Sequence, residues 1–233
     1  LVFSSAGKAN TYFFSATDGS NLLLFTAEPN NNGKLIVTSE FAYPAPGSMG
    51  STALIPVKPA GGTITGGAGT VSAVKAEFDL FGVFSASGKP TLFRDRVAFD
   101  QTTKTWEQIS RKTFPNHKLD SFNTLSSSAS GTQRLVLTEN GPNVNRRKVS
   151  PAGNVTGGNK ATFKNAANVD PLAAALSTNG AFAFESTFTR TASPSDSAAG
   201  QLTNQVEVKD LRTNKKTTLS SSGATVGFSG ADG

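Results

Sequence analysis

Few residues in this 233-residue chain have the chemical reach for catalysis, and their spacing limits what they can do. The chain has one histidine, His117, in the loop-like stretch Phe114-Pro115-Asn116-His117-Lys118, and no cysteine. A zinc site draws three or four imidazole, thiolate or carboxylate ligands together, and one imidazole without any thiolate does not supply that set. A Ser-His-Asp triad would have to run through His117. The nucleophile elbow Gly-x-Ser-x-Gly is missing, because Gly47-Ser48-Met49-Gly50 and Gly227-Phe228-Ser229-Gly230 both break its pattern. His117 is therefore read as a solvated loop histidine. Glycoside hydrolysis needs only two carboxylates about 5–10 Å apart. Asp18, Asp79, Asp95, Asp100, Glu139 and Glu185 are the candidates, and nothing in the sequence selects a pair among them. The expectation is a protein without catalytic activity.

Binding chemistry is also sparse. Trp106, in Thr105-Trp106-Glu107, is read as core, with a sugar-stacking platform as the alternative. Arg146, Arg147 and Lys148 form the tightest basic cluster, and Lys215 and Lys216 follow in a turn. The net charge of +6 and pI of 9.7 suggest a nucleic-acid partner. However, single-strand binders interleave basic residues with exposed aromatics, and here most Phe residues sit in strand-like alternation that turns them toward a core. No nucleic acid is expected. Asn30-Asn31-Asn32-Gly33 and Ser193-Pro194-Ser195-Asp196-Ser197 lack the acidic density of a calcium loop. Gly61 to Gly69 lacks the Gly-Lys-Ser/Thr ending of a phosphate loop. No metal and no cofactor are expected. Asn154-Val155-Thr156 has the pattern of an N-glycan acceptor.

The elements that must position these residues read as strands. Thr11–Phe14, Leu22–Phe25, Lys34–Thr38, Phe78–Phe84, Arg134–Leu137 and Gln205–Val208 are short apolar or alternating runs bounded by Gly, Asn, Asp or Ser. Asp170-Pro171 before Leu172-Ala173-Ala174-Ala175-Leu176 has the form of a capped helix start, with a strand as the alternative. A Ser-x-x-Gly turn recurs, ending at Gly19, Gly88, Gly131, Gly180 and Gly233, with an apolar strand after each of the first four. Three of the four intervals lie near the roughly 40–50 residues of a four-stranded propeller blade, and the first, from Gly19 to Gly88, is longer. The fold expected is all-β, a small β-propeller of four to five blades in a single domain over 1–233. A Pro/Gly-rich insertion or degenerate blade is expected at about 44–75. Two small β-sandwich-like domains, separated by the stretch around 44–70, are the alternative.

The last repeat is the most regular. Leu176-Ser177-Thr178-Asn179-Gly180-Ala181-Phe182-Ala183-Phe184-Glu185-Ser186 is followed by a polar stretch. Then come Asn204-Gln205-Val206-Glu207-Val208-Lys209-Asp210-Leu211 and a turn into Thr217-Thr218-Leu219. Over 172–220 this resembles the TolB-like propeller repeat, in which a Ser-x-Asp-Gly turn leads to an Ala-Phe-x-Ser strand, an apolar strand ending in Asp-Leu, and a Thr-x-Leu strand. The match is weak over 11–40 and 84–138 and absent over 44–75. Asn214 stands where that family has Gly, and Asn179 where it has Asp; asparagine tolerates the left-handed backbone such turns use. The resemblance implies a fold and no particular activity.

Gly, Ser, Thr and Asn make up about two-fifths of the chain, a surface composition common in exported β-proteins. With no cysteine and no membrane-length apolar run, the expectation is a secreted, cell-surface or periplasmic binding module. The chain starts at Leu1, which suggests a processed chain. Its contacts are expected at Trp106, His117, Arg146, Arg147 and Lys148, with a protein partner and a glycan as a further ligand class. Two other functions stay open. One is a structural subunit of a cell-surface or filamentous assembly. There the terminal strands, represented by Val2, Phe3, Val226 and Phe228, would close the ring or exchange between copies. The other is a carbohydrate-binding or glycan-active protein.

Overall fold

The computed structural model describes residues 2–3, 11–57, 75–115, 124–130, 133–177, 181–191 and 201–221, and among them every regular element is a strand. The chain divides into two compact units, Leu1–Pro115 and Asn116–Gly233. Each unit contains two four-stranded antiparallel sheets.

In the first unit, β1 (Val2–Phe3), β2 (Thr11–Thr17), β3 (Asn21–Pro29) and β4 (Leu35–Pro44) form one sheet in chain order. β5 (Met49–Pro56), β6 (Lys75–Ala86), β7 (Lys89–Asp100) and β8 (Thr105–Phe114) form the next. In the second unit, β9 (Thr124–Ser130), β10 (Gln133–Asn140), β11 (Asn143–Val149) and β12 (Val155–Phe163) make a third sheet. β13 (Val169–Leu176), β14 (Phe182–Thr191), β15 (Gln201–Asp210) and β16 (Lys216–Ser221) make the fourth. Each sheet is an up-and-down meander, the construction of a propeller blade. The described residues thus give an all-β chain of four blade-type sheets, the lower of the two numbers expected.

The segment Val169–Leu176 settles as a strand, since its register with β14 is continuous apart from a break between Pro171 and Ala173. Pro171 lacks an N–H, and such a break is where a strand tolerates proline. The stretch expected as an insertion contributes β5, while residues 58–74 lie outside the described residues.

The Ser-x-x-Gly turns do not occupy equivalent places. Gly19 and Gly88 lie between the second and third strands of their sheets, whereas the stretches holding Gly131 and Gly180 join first to second strands. The equivalent turn in all four sheets is the one that leads to the outermost strand. It opens on Asn30, Asp100, Ser150 or Asp210, whose side-chain oxygen accepts backbone N–H bonds from residues two to four positions later. It ends on a left-handed residue: Gly33 at φ 74°, Lys104 at 57°, Gly153 at 79° or Asn214 at 62°. Asn214 thus adopts the left-handed backbone expected of it.

Every outermost strand also carries a bulge against its neighbour, with Thr38, Ile109, Thr162 and Leu219 as the extra residues. A bulge bends and twists a strand away from regular pairing.

The core of the first unit lies between its two sheets. Phe13, Leu22, Leu24 and Tyr43 from one meet Phe78, Leu80, Phe93, Val97, Phe99 and Trp106 from the other. Phe13 sits edge-on to Phe99 and Trp106, at ring-centroid distances of 5.5 and 5.7 Å. The second unit has a smaller core of Leu135, Leu137, Val144, Phe163, Ala174, Leu176 and Ala183. Gly82 in β6 marks the tightest point of the first core, where a Cβ would come within 2.6 Å of both the Met49 methyl and the Phe93 ring. Gly82→Ala is expected to lower stability by about 1–3 kcal/mol through overpacking, measured as a shift of the urea midpoint with unchanged slope.

Candidate functional site

The candidate acids are best taken by sheet, because the period of two sets what each one faces. Asp18 and Asp100 cap turns. Asp18 accepts bonds from the backbone of Ser20 and Asn21 and from the Asn21 side chain, and Asp100 from the backbone of Thr102 and Thr103. These bonds, the Asn21 side chain foremost for Asp18 and the Thr103 N–H for Asp100, hold both carboxyls below the usual range. Both acids are occupied in shaping the chain.

Asp79 and Asp95 are fully buried on opposite faces of the β5–β8 sheet. Asp79 is gripped by Arg96 from the opposite position on β7, with Nε and Nη2 at 3.0 and 3.1 Å, and Arg94 Nη1 stands 3.5 Å from the same carboxylate. Asp95 receives Nε and Nη2 of Arg111, both at 2.8 Å, and Nη2 also reaches the Pro44 carbonyl of the neighbouring sheet at 3.0 Å. The Arg111 guanidinium lies 5.8 Å from the centre of the Phe93 ring. The Asp95 bond raises the Arg111 pKa. Burial, reinforced by the Asp95 carboxylate, drives the Tyr43 phenol far above its ordinary range. Paired forks of this kind fix the geometry of both partners.

Glu185 is held differently. Its side chain is fully buried in β14, Oε1 accepts one bond of 2.7 Å from the Asn165 amide, and Oε2 has no partner among the described residues. Directly opposite on β15 stands Glu207, paired with Lys216 and accepting a 3.0 Å bond from Gln205. Burial pushes the Glu185 carboxyl up to about 7; Glu207 adds to the shift, while the Asn165 bond and Lys216 oppose it. The sequence contained the cue, Glu185 in the strand Ala183-Phe184-Glu185-Ser186 and Glu207 in the next. Their opposition depends on a register that the connecting stretch hides.

The expected contact residues do not converge. Trp106 is 6% exposed within the aromatic core, and its Nε1 has no partner among the described residues, so its ring faces are used in packing. The basic cluster splits across β11. Arg147 is 1% exposed, donating from Nε to Thr138 at 2.8 Å and from Nη1 to the Gly157 carbonyl at 3.3 Å, and burial lowers its guanidinium to about 10. Arg146 is half-buried and Lys148 exposed, both on the other face. His117, Val226 and Phe228 lie outside the described residues. Val2 and Phe3 pair with Tyr12 and Thr11 as the first strand of their own sheet.

What the residues missed is the rim. The outer strands expose Leu35, Ile36 and Val37 on β4, Ile109 on β8 and Leu219 on β16. Ile109 and Leu219 are bulge residues, and Val37 adjoins the bulged Thr38.

No sequence-family profile matches the chain, and no curated relative matches it. Solved structures similar to it include an ACO/RPE65 chimera at 11% identity and TM-score 0.46, which covers 94% of this chain and 48% of the chimera. YjhT is similar at 10% identity and TM-score 0.43, over 94% of this chain and 67% of that one. A putative 6-phosphogluconolactonase from Bacteroides uniformis is similar at 11% identity and TM-score 0.43, over 88% and 68%. The chain spans about half the length of the chimera. The class of fold rests on the four sheets themselves.

Asp79→Ala is expected to cost on the order of 3–5 kcal/mol, the loss when one partner of a buried pair is removed. Arg96→Ala should also be costly, because it strips the fully buried Asp79 carboxylate of its two-pronged donor. Chemical denaturation of the two variants, compared with the double variant, measures the coupling.

Proposed function

We propose that this chain is a non-catalytic interaction module whose partner is a protein gripped by the rim of its sheets. The observation that supports this most directly is the run Leu35-Ile36-Val37 on β4, with relative exposures of 45%, 48% and 59%. Single exposed apolar residues are ordinary on a protein surface, whereas here Leu35 and Val37 on one face of β4 and Ile36 on the other make an outer edge that is apolar from both sides. Lys34 and Glu40, both exposed, flank the run with charges of opposite sign. A partner surface that is apolar at its centre and mixed in charge at its margin fits that pattern.

The buried acids support the same reading. Asp79 and Asp95 are consumed by arginine forks, and Asp18 and Asp100 by turns. Glu185 is fully enclosed, away from any substrate. A location outside the cytoplasm belongs to this proposal through the Ser/Thr/Asn/Gly-rich surface. So does kinship with TolB-like repeats, since the span 172–220 falls within β13 to β16.

The double variant Ile36→Lys, Val37→Lys changes only exposed side chains and should keep its fold and urea midpoint within about 0.5 kcal/mol. It is expected to lose a discrete protein that the wild type retains in affinity capture, with that protein then purified and its binding measured. Retention of every partner by the variant, or turnover of a polysaccharide by the wild type, overturns the reading.

A further inference from the structure

We propose that the second unit carries a built-in proton site, in which Glu185, buried opposite Glu207, holds a proton whose loss weakens the folded state. The site lies on the face of the β13–β16 sheet that packs against the β9–β12 sheet. Lys209 donates there to the Thr162 carbonyl at 2.7 Å, and the Lys216 ammonium lies 5.9 Å from the Phe163 ring centre. Glu185 and Glu207 are opposite partners in the β14–β15 register and therefore share this face. Opposite residues of an antiparallel pair have Cβ atoms about 5 Å apart.

Two ammoniums, Lys216 and Lys209, share this face with the two carboxylates. Lys216 pairs with Glu207, and Lys209 is engaged by the Thr162 carbonyl. The residue facing Glu185 on β13 is Ala174. The connection after β12 brings the neutral Asn165 to Glu185, its amide also holding the Pro142 carbonyl at 2.8 Å, while Lys164 in the same connection is exposed. On the facing sheet, Glu139 continues the row of Leu135 and Leu137, with Arg146 and Lys148 opposite those leucines. Of all these charged groups, Glu207 and Lys216 are the two that act on the Glu185 carboxyl.

Glu185 Oε2 supplies the second, independent observation. It is an enclosed oxygen without a donor among the described residues, and an ionised oxygen in that position is costly. Protonated, the same oxygen carries no charge, and Glu207 is left as the one anion of the opposed pair. Because burial raises the Glu185 carboxyl from 4.5 to about 7, the folded state holds the proton more tightly than the unfolded chain. The stabilisation is complete below the unfolded value and is lost as pH rises through about 7.

The test is denaturant unfolding of the wild type and Glu185→Gln at pH 5, 6, 7 and 8. The folding constant of the wild type relative to the variant is expected to fall by roughly 10- to 100-fold from pH 5 to pH 8. Taking the ratio removes the contribution of His117, which is common to both proteins. Parallel pH profiles overturn the proposal. Should Glu185→Gln fail to fold, infrared spectroscopy of the wild type decides. A buried protonated carboxyl present at pH 6 and lost by pH 8 supports the site, and its absence at pH 6 overturns it.

Discussion

Burial of the middle strands on both faces is the constraint on which the rest of this structure depends. β6 and β7 are enclosed from Phe78 to Phe84 and from Leu92 to Phe99, with only Arg96 less than fully covered. A strand with a solvent face can send its charges outward. Here each ionisable group in the middle of a sheet needs a partner at a register position. Asp79 finds Arg96, and Asp95 finds Arg111. The second fork also reaches the Pro44 carbonyl, so the pairing that solves the problem within one sheet ties it to the next.

The second unit meets the same demand with other means. Arg147 is satisfied by a hydroxyl and a carbonyl, and Glu185 by one amide. Desolvation by burial is the leading cause of the shifts of both Arg147 and Glu185. One unit is pinned by ion pairs and the other holds groups whose protonation responds to their surroundings.

Much of the architecture was legible in the sequence because period-two alternation and turn residues are local signals. The strands around Phe78–Phe84 and Gln205–Val208, and the left-handed Asn214, follow from neighbouring residues alone. The Ser-x-x-Gly pattern falls on turns that are not equivalent between sheets. Ser and Gly are frequent enough in this chain to mark several turns of each sheet, while the equivalent turn varies its first residue among Asn, Asp and Ser and its last among Gly, Lys and Asn. The candidate site was legible only in part. Glu185 stood among the possible acids, but its relation to Glu207 is set by pairing across a long connection. Arg146, Arg147 and Lys148 looked like one patch because sequence adjacency conceals that a strand turns successive side chains to opposite faces.

The bulges on the outermost strands have a consequence for how this protein can change over time. An ordinary strand residue has a partner across the sheet, and replacing it disturbs two side chains at once. Ile109 and Leu219 have no such register partner, since two residues of their strand share one position on the neighbour. At these points the rim can be rewritten without retuning the sheet behind it. The bend also spoils the edge as a template for another strand, so that a rim free to diversify is kept from recruiting unfolded chains.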